Sequence, residues 1–223
     1  MAFDKTRFGG VVAPIVNPCG EDDSLDRGAL EANLTRLLAT DVAGLYINGG
    51  TGDAANLTQD ERLETAALLV PRLLAAGKLA IVHVGQTNQR QAVELARQAA
   101  ALGAHAVASI PPKKPWPQIV EYYKALAAAG APVIVYYIPG VTGMTAGMPE
   151  LRMLLDIPGV AGIKMSDWNI FLLRSVVLEY PEKVVYSGFD EMLVPGLLYG
   201  ADGCIGTWAN LLPDLYAKVY ARV

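Results

Sequence analysis

The sequence predicts an α/β protein folded as a (β/α)8 TIM barrel, and three observations predict it. Strand-like apolar runs alternate with helical stretches about eight times along the 223 residues. That number of units closes a barrel, although roughly 250 residues is more typical. The strands are apolar at successive positions, so neither face suits water; parallel strands covered by helices follow. The competing architecture, an open doubly wound sheet, wants a glycine-rich turn after its first strand. Asn17-Pro18-Cys19-Gly20 is not such a turn.

Taken in order, residues 8–16 form the first strand, ended by Asn17-Pro18, and residues 25–39 a helix with Leu30, Leu34, Leu37 and Leu38 on one face. Residues 42–47 form the second strand. Thr58 and Glu61 read as a capping box that opens the next helix. A strand over 79–84 precedes a helix over 88–102, whose stripe is Ala92, Leu95, Ala96, Ala99 and Leu102. The strand over 104–110 runs into a loop rich in Pro and Lys, 111–117. Next come a helix over 118–129, a strand over 132–138 and a short helix opened by Pro149. Residues 160–165 form the sixth strand and 168–179 its helix, 184–187 the seventh strand and 190–199 its helix. Residues 201–205 are the eighth strand and 213–223 the last helix. No composition shift or low-complexity run divides the chain, so residues 1–223 are expected to form one barrel domain ending in that helix.

Composition excludes several function classes. A 52% hydrophobic content with 18% charge argues against disorder. The net charge of −4 and the lack of basic blocks argue against nucleic acid as a partner. No apolar run is long enough to span a membrane, because Glu64, Pro71, Arg72 and Gly77 interrupt the longest. The N-terminus Met1-Ala2-Phe3-Asp4-Lys5 lacks a signal peptide's apolar core. Cys19, Cys204, His83 and His105 are not at metal-ligand spacing, so no metal is expected. A reducing, cytoplasmic setting is the expectation.

Chemistry in a barrel gathers at the C-terminal ends of the strands. At the end of the sixth strand stands Lys164, inside the run Val160-Ala161-Gly162-Ile163-Lys164-Met165-Ser166. Desolvation lowers a lysine's pKa and frees the amine as a nucleophile. A strand-end lysine also snorkels to solvent, and this stretch alone leaves both readings open. Tyr136 ends the fifth strand. The turn Gly49-Gly50-Thr51-Gly52-Asp53 follows the second, offering N–H groups and a hydroxyl to a carboxylate. A lysine, a phenol and an anion-holding turn on three strands of one barrel suggest Schiff-base chemistry on a 2-keto acid.

At these residues the sequence resembles the N-acetylneuraminate lyase and dihydrodipicolinate synthase group of pyruvate-dependent class I aldolases, from about Phe8 onward. Gly49-Gly50-Thr51-Gly52-Asp53-Ala54 is similar to the family's first signature, Tyr136 to Gly143 to its tyrosine motif, and Gly162-Ile163-Lys164 to its imine motif. The resemblance implies that Lys164 forms the imine, Tyr136 is the acid/base, and Gly50 and Thr51 hold the pyruvate carboxylate. It implies no cofactor and a homo-oligomer, tetramer or dimer.

Val141 stands where dihydrodipicolinate synthases carry an arginine for the aldehyde's carboxylate, which disfavours that activity. Gly188-Phe189-Asp190-Glu191 and Gly203-Cys204-Ile205-Gly206-Thr207 look like the sialic acid lyase motifs. That likeness implies that Gly188, Asp190, Glu191, Ile205, Gly206 and Thr207 contact a sugar-like aldehyde.

The expected activity is therefore cleavage or formation of a C–C bond in a 2-keto-3-deoxy sugar acid, with pyruvate as one partner. The alternatives are dihydrodipicolinate synthase, a keto-deoxy sugar acid dehydratase, and a barrel that binds a keto acid without turnover. The chain departs from the family pattern in four places, and all but the Tyr137 change motivate the last. Gly50 replaces a hydroxyl residue and Tyr137 an asparagine, loop 111–117 lacks a relay tyrosine, and the usual helical extension beyond the barrel is missing.

Overall fold

A computed structural model describes residues 3–223; Met1 and Ala2, part of the N-terminus read for a signal peptide, lie outside the described residues. Eight parallel strands close in sequence order: β1 Gly10–Pro14, β2 Gly44–Ile47, β3 Leu79–His83, β4 Ala106–Ser109, β5 Val133–Tyr137, β6 Val160–Met165, β7 Val184–Ser187 and β8 Gly203–Cys204. The seam is made by Gly10 paired with Gly203 and Val11 with Cys204. A Cβ at Gly203 would overlap the Gly10 carbonyl. The closing pair approaches so tightly only because it carries no side chains there.

The helices between the strands are α1 Arg27–Leu38, α2 Gln59–Ala75, α3 Gln89–Ala101, α4 Trp116–Ala127, α5 Pro139–Thr142, α6 Met148–Leu155, α7 Ile170–Glu179, α8 Leu193–Leu198 and α9 Pro213–Tyr220. The capping box at the start of α2 is present: Thr58 Oγ1 accepts the Glu61 N–H, and Glu61 Oε2 accepts the Thr58 N–H. Single-turn 3-10 helices follow β7, at Asp190–Met192, and β8, at Thr207–Asn210.

Strand alternation divides the apolar residues into two cores. One set, with Leu34, Leu69, Val107, Ile119, Val135 and Ile163 among it, packs between the strands and the helices. The other fills the barrel: Val12, Tyr46, Ile81, Ala108, Ile134, Tyr136, Tyr186 and Ile205, with Phe8 below. Tyr186 Oη closes the bottom by donating to the Phe8 carbonyl at 2.5 Å. The interior is thus a filled stack, and only its upper layer is left for polar groups.

Candidate active site

Lys164 is 5% exposed and faces into the barrel, between Tyr136 of β5 and Tyr186 of β7 in the strand register. Its Nζ lies 4.0 Å from the Tyr136 ring centroid and 4.9 Å from that of Tyr46. No salt bridge to it is made among the described residues. Burial lowers its pKa, against the opposing pull of Tyr136, Asp190 and Cys204. Ring faces stabilise a cation far less than water does, so the ammonium is disfavoured and the free amine gains population.

Tyr136 Oη is within 3.2 Å of Ser166 Oγ, and Ser166 is buried. Ser166 stands two residues after Lys164, which puts both side chains on one face of the strand path. Gly188, following β7, leaves no room for a side chain: a Cβ there would overlap Ser166 Oγ and press on Lys164 Cε.

The turn after β2 is organised from beneath. Asn48 adopts a positive φ of 57° and donates from Nδ2 to the Arg62 carbonyl at 2.8 Å. Asn17 Nδ2 donates to the Gly52 carbonyl at 2.8 Å. The N–H groups of Gly52 and Asp53 turn inward, to the carbonyls of Gly49 and Gly50. Those of Gly50 and Thr51 meet no acceptor among the described residues, so two donors stand free where an anion is expected. Thr51 Oγ1 pairs with Thr207 Oγ1 at 2.8 Å, joining the loops after β2 and β8.

All the candidate residues except Gly206 border one cavity of about 170 Å³: Lys164, Tyr136, Gly50, Thr51, Gly188, Asp190, Glu191, Ile205 and Thr207. Gly206 sits directly behind it, where a Cβ would overlap Asp190 Oδ1. Sequence reasoning missed Tyr46 and Ser166 in the same wall. Their signals were present, as a lone hydroxyl in the aliphatic run Leu45-Tyr46-Ile47 and a serine at even spacing from the lysine.

A second cavity, of about 350 Å³, meets the first at Gly50 and is bordered by Arg62, His83 and Gln86. A Cβ added to Gly50 would meet nothing within 4 Å. Arg62 is buried and gives its guanidinium N–H groups to the carbonyls of His83 and Gly85. His83 Nε2 accepts the Ile110 N–H at 3.2 Å, and its pKa is pushed down to about 3 by burial and by the cations Arg62 and Lys164. His83 is therefore a neutral packing residue. Val141 stands 62% exposed on α5 and presents no cation.

Among the described residues no group of three or more His, Cys, Asp or Glu is arranged to hold a metal ion. Cys19 and Cys204 are free, and burial pushes the Cys204 thiol up to about 12. Among the described residues no helix is long and apolar enough to cross a membrane.

The model of the dihydrodipicolinate synthetase family matches residues 7–223. An N-acetylneuraminate lyase of Rhizobium meliloti is 35% identical over 216 residues, covering 94% of this chain and 71% of that protein. One from Escherichia coli is 29% identical over 220 residues, covering 96% and 73%. Among solved structures, Clostridium difficile CdNal in complex with mannosamine superposes with a TM-score of 0.92 at 25% identity, over 96% of this chain and 75% of that one. The Escherichia coli prophage protein YagE, of the dihydrodipicolinic acid synthase family and solved with pyruvate, gives 0.89 at 26% identity, over 95% and 74%.

Proposed function

The chain belongs to the dihydrodipicolinate synthetase family and is a pyruvate-dependent class I aldolase of the sialic acid lyase type; on that footing we propose that Lys164 carries the reaction, on a 2-keto-3-deoxy sugar acid. The observation that carries this reading is a buried lysine with a lowered pKa, 4.0 Å from the Tyr136 ring, sharing a cavity with two free N–H groups of the 49–53 turn.

The neutral amine attacks the keto carbon while Gly50, Thr51 and their N–H groups hold the neighbouring carboxylate. Loss of water gives the protonated imine. Tyr136, relayed through Ser166, gives its phenolic proton to that leaving water, and the resulting phenolate takes the proton of the hydroxyl on the far carbon of the bond to be cut. That bond breaks, its electron pair moves into the imine as an enamine, and an aldehyde leaves. Protonation of the enamine and hydrolysis release pyruvate and the free lysine. Gly188, Ile205 and Gly206 shape the aldehyde side; Asp190, Glu191 and Thr207 give it polarity. No cofactor enters this sequence. Val141 supplies nothing to pair with an acceptor's carboxylate, which sets aspartate semialdehyde apart as a poor acceptor. The same reading places the enzyme in the cytoplasm as a homo-oligomer.

The test is trapping. Incubation with pyruvate and borohydride adds one reduced pyruvyl group by mass, and Lys164→Ala loses it. A wild type that stays unmodified while still binding pyruvate would make the chain a binding barrel instead.

A further inference from the structure

The space around Lys164 is small for a ligand site. Such sites usually run to roughly 300–1,000 Å³, whereas this cavity holds about 170 Å³. It encloses the keto-acid end, and a longer partner extends past its mouth. Phe189 stands on that boundary. Half-buried, it borders the cavity and also meets Trp168, with ring centroids 5.0 Å apart and planes at 38°. Trp168 does not border the cavity and is 63% exposed, so most of the indole is open to a ligand.

The two rings come from different loops, and both loops are fixed. Trp168 follows β6; its carbonyl accepts the Ile170 N–H at 2.9 Å, and its neighbour caps α7, Asn169 Oδ1 accepting the Leu172 N–H at 3.0 Å. Phe189 follows β7 behind Gly188, whose N–H donates to the Met165 carbonyl at 2.8 Å. The rings are thus placed before any ligand arrives, which lowers the entropy cost of stacking on them. Exposed apolar surface beside a polar-lined mouth marks a contact for an apolar group. Among the described residues that border the cavity the only cation is Lys164, and the carboxylates Asp190 and Glu191 oppose an acidic partner. A neutral, flat ring is what a tilted aromatic pair receives best.

We propose that Trp168 and Phe189 form a stacking platform for an aryl aldehyde, and that the chain joins such aldehydes to pyruvate. This goes beyond the sugar-like substrate above and rests on the same Lys164 imine. The enamine carbon made from pyruvate attacks the aldehyde carbon, and the enamine's electron pair becomes the new C–C bond. The aldehyde oxygen takes the Tyr136 phenolic proton. Water then hydrolyses the protonated imine, returns a proton to Tyr136 and frees the amine, releasing a 4-aryl-4-hydroxy-2-ketobutanoate.

The test compares wild type, Trp168→Ala and Trp168→Phe. Four quantities are read: pyruvate trapping by borohydride without aldehyde, KM for benzaldehyde, KM for glyceraldehyde, and melting temperature. The wild type is expected to form the phenyl product, identified by mass, and Lys164→Ala to form none. Trp168→Ala should raise the KM for benzaldehyde about 10-fold, the value of an aromatic contact. Glyceraldehyde ends short of the platform, so its KM should move by less than about 2-fold. Trp168→Phe keeps a ring and should stay within about 3-fold of wild type on both. Trapping and melting temperature should hold throughout, since the indole lies outside the cavity and is exposed.

A wild type that traps pyruvate but makes no phenyl product would overturn the inference. So would a Trp168→Ala enzyme whose two KM values rise alike or both stay unchanged. A wild type that traps no pyruvate overturns the underlying reading instead, so the two failures are distinguishable.

Discussion

Lys164 is placed where folding disfavours its charge. The unfolded lysine is a solvated ammonium at neutral pH, whereas in the barrel burial disfavours the charge. Lys164→Met, similar in length and without charge, is expected to gain about 1–2 kcal/mol in urea unfolding while abolishing trapping, the usual exchange of stability for function. His83 gives a pH dependence of definite sign. The unfolded imidazole takes up a proton near pH 6.5, and the folded one only near about 3. Between these values the unfolded chain binds more protons, so stability falls as pH falls, by on the order of 5 kcal/mol across the whole window. His83→Gln should flatten the stability curve from pH 6.5 to 4, measured by urea titration at each pH. Gly50 is open space rather than a strained position. Gly50→Ser is expected to melt with the wild type and to lower the KM for pyruvate about 3-fold by adding one neutral hydrogen bond, read from the concentration dependence of trapping.

At the scale of elements, periodicity exposed most of the fold, and the exceptions have physical causes. The six-residue strand around Lys164 runs from Val160 to Met165 as its apolar run indicates. The stretch 190–199 splits into a 3-10 turn and then α8, because Pro195 has no N–H to give and fits only the first turn of a helix. Helix α4 starts at Trp116 rather than residue 118, since Pro117 suits an N-terminal position. The single turns α5 and Thr207–Asn210 were illegible: four residues carry too little periodicity. The eighth strand, expected over 201–205, narrows to Gly203–Cys204, the two residues that pair with β1 and β7. In the site, residues with distinctive motifs were legible, and Ser166 showed only as a serine at even spacing from Lys164. Its partner Tyr136 lies 30 positions away, a pairing that no local pattern announces. The α2 cap, by contrast, was readable and is testable: Thr58→Ala should cost about 1 kcal/mol in urea unfolding without changing trapping.

At the scale of the molecule, the outer faces of the last helices stand out. Leu198 on α8 is 67% exposed and Leu211, before α9, 70%. Apolar surface of this kind drives association. Leu198→Glu with Leu211→Glu should lower self-association in sedimentation at fixed concentration and leave trapping intact, because neither residue borders the cavity. The seam is the opposite case. Gly203→Val has no room against Gly10 and should open the barrel, with loss of cooperative thermal unfolding by circular dichroism.

The pair of hydroxyls Thr51 and Thr207 reaches across this seam and joins residues 156 positions apart in the chain. Until β7 and β8 have docked beside β6, the surroundings of the lysine are water. Its amine remains a charged, unreactive ammonium through that interval, as any surface lysine does. Only the docking of the final strands dries it and brings the Thr207 hydroxyl to the carboxylate-holding turn. Closure of the ring is thus what disfavours the charge on this amine: the open chain holds a solvated ammonium, and burial acts on it only once the last strands are in place.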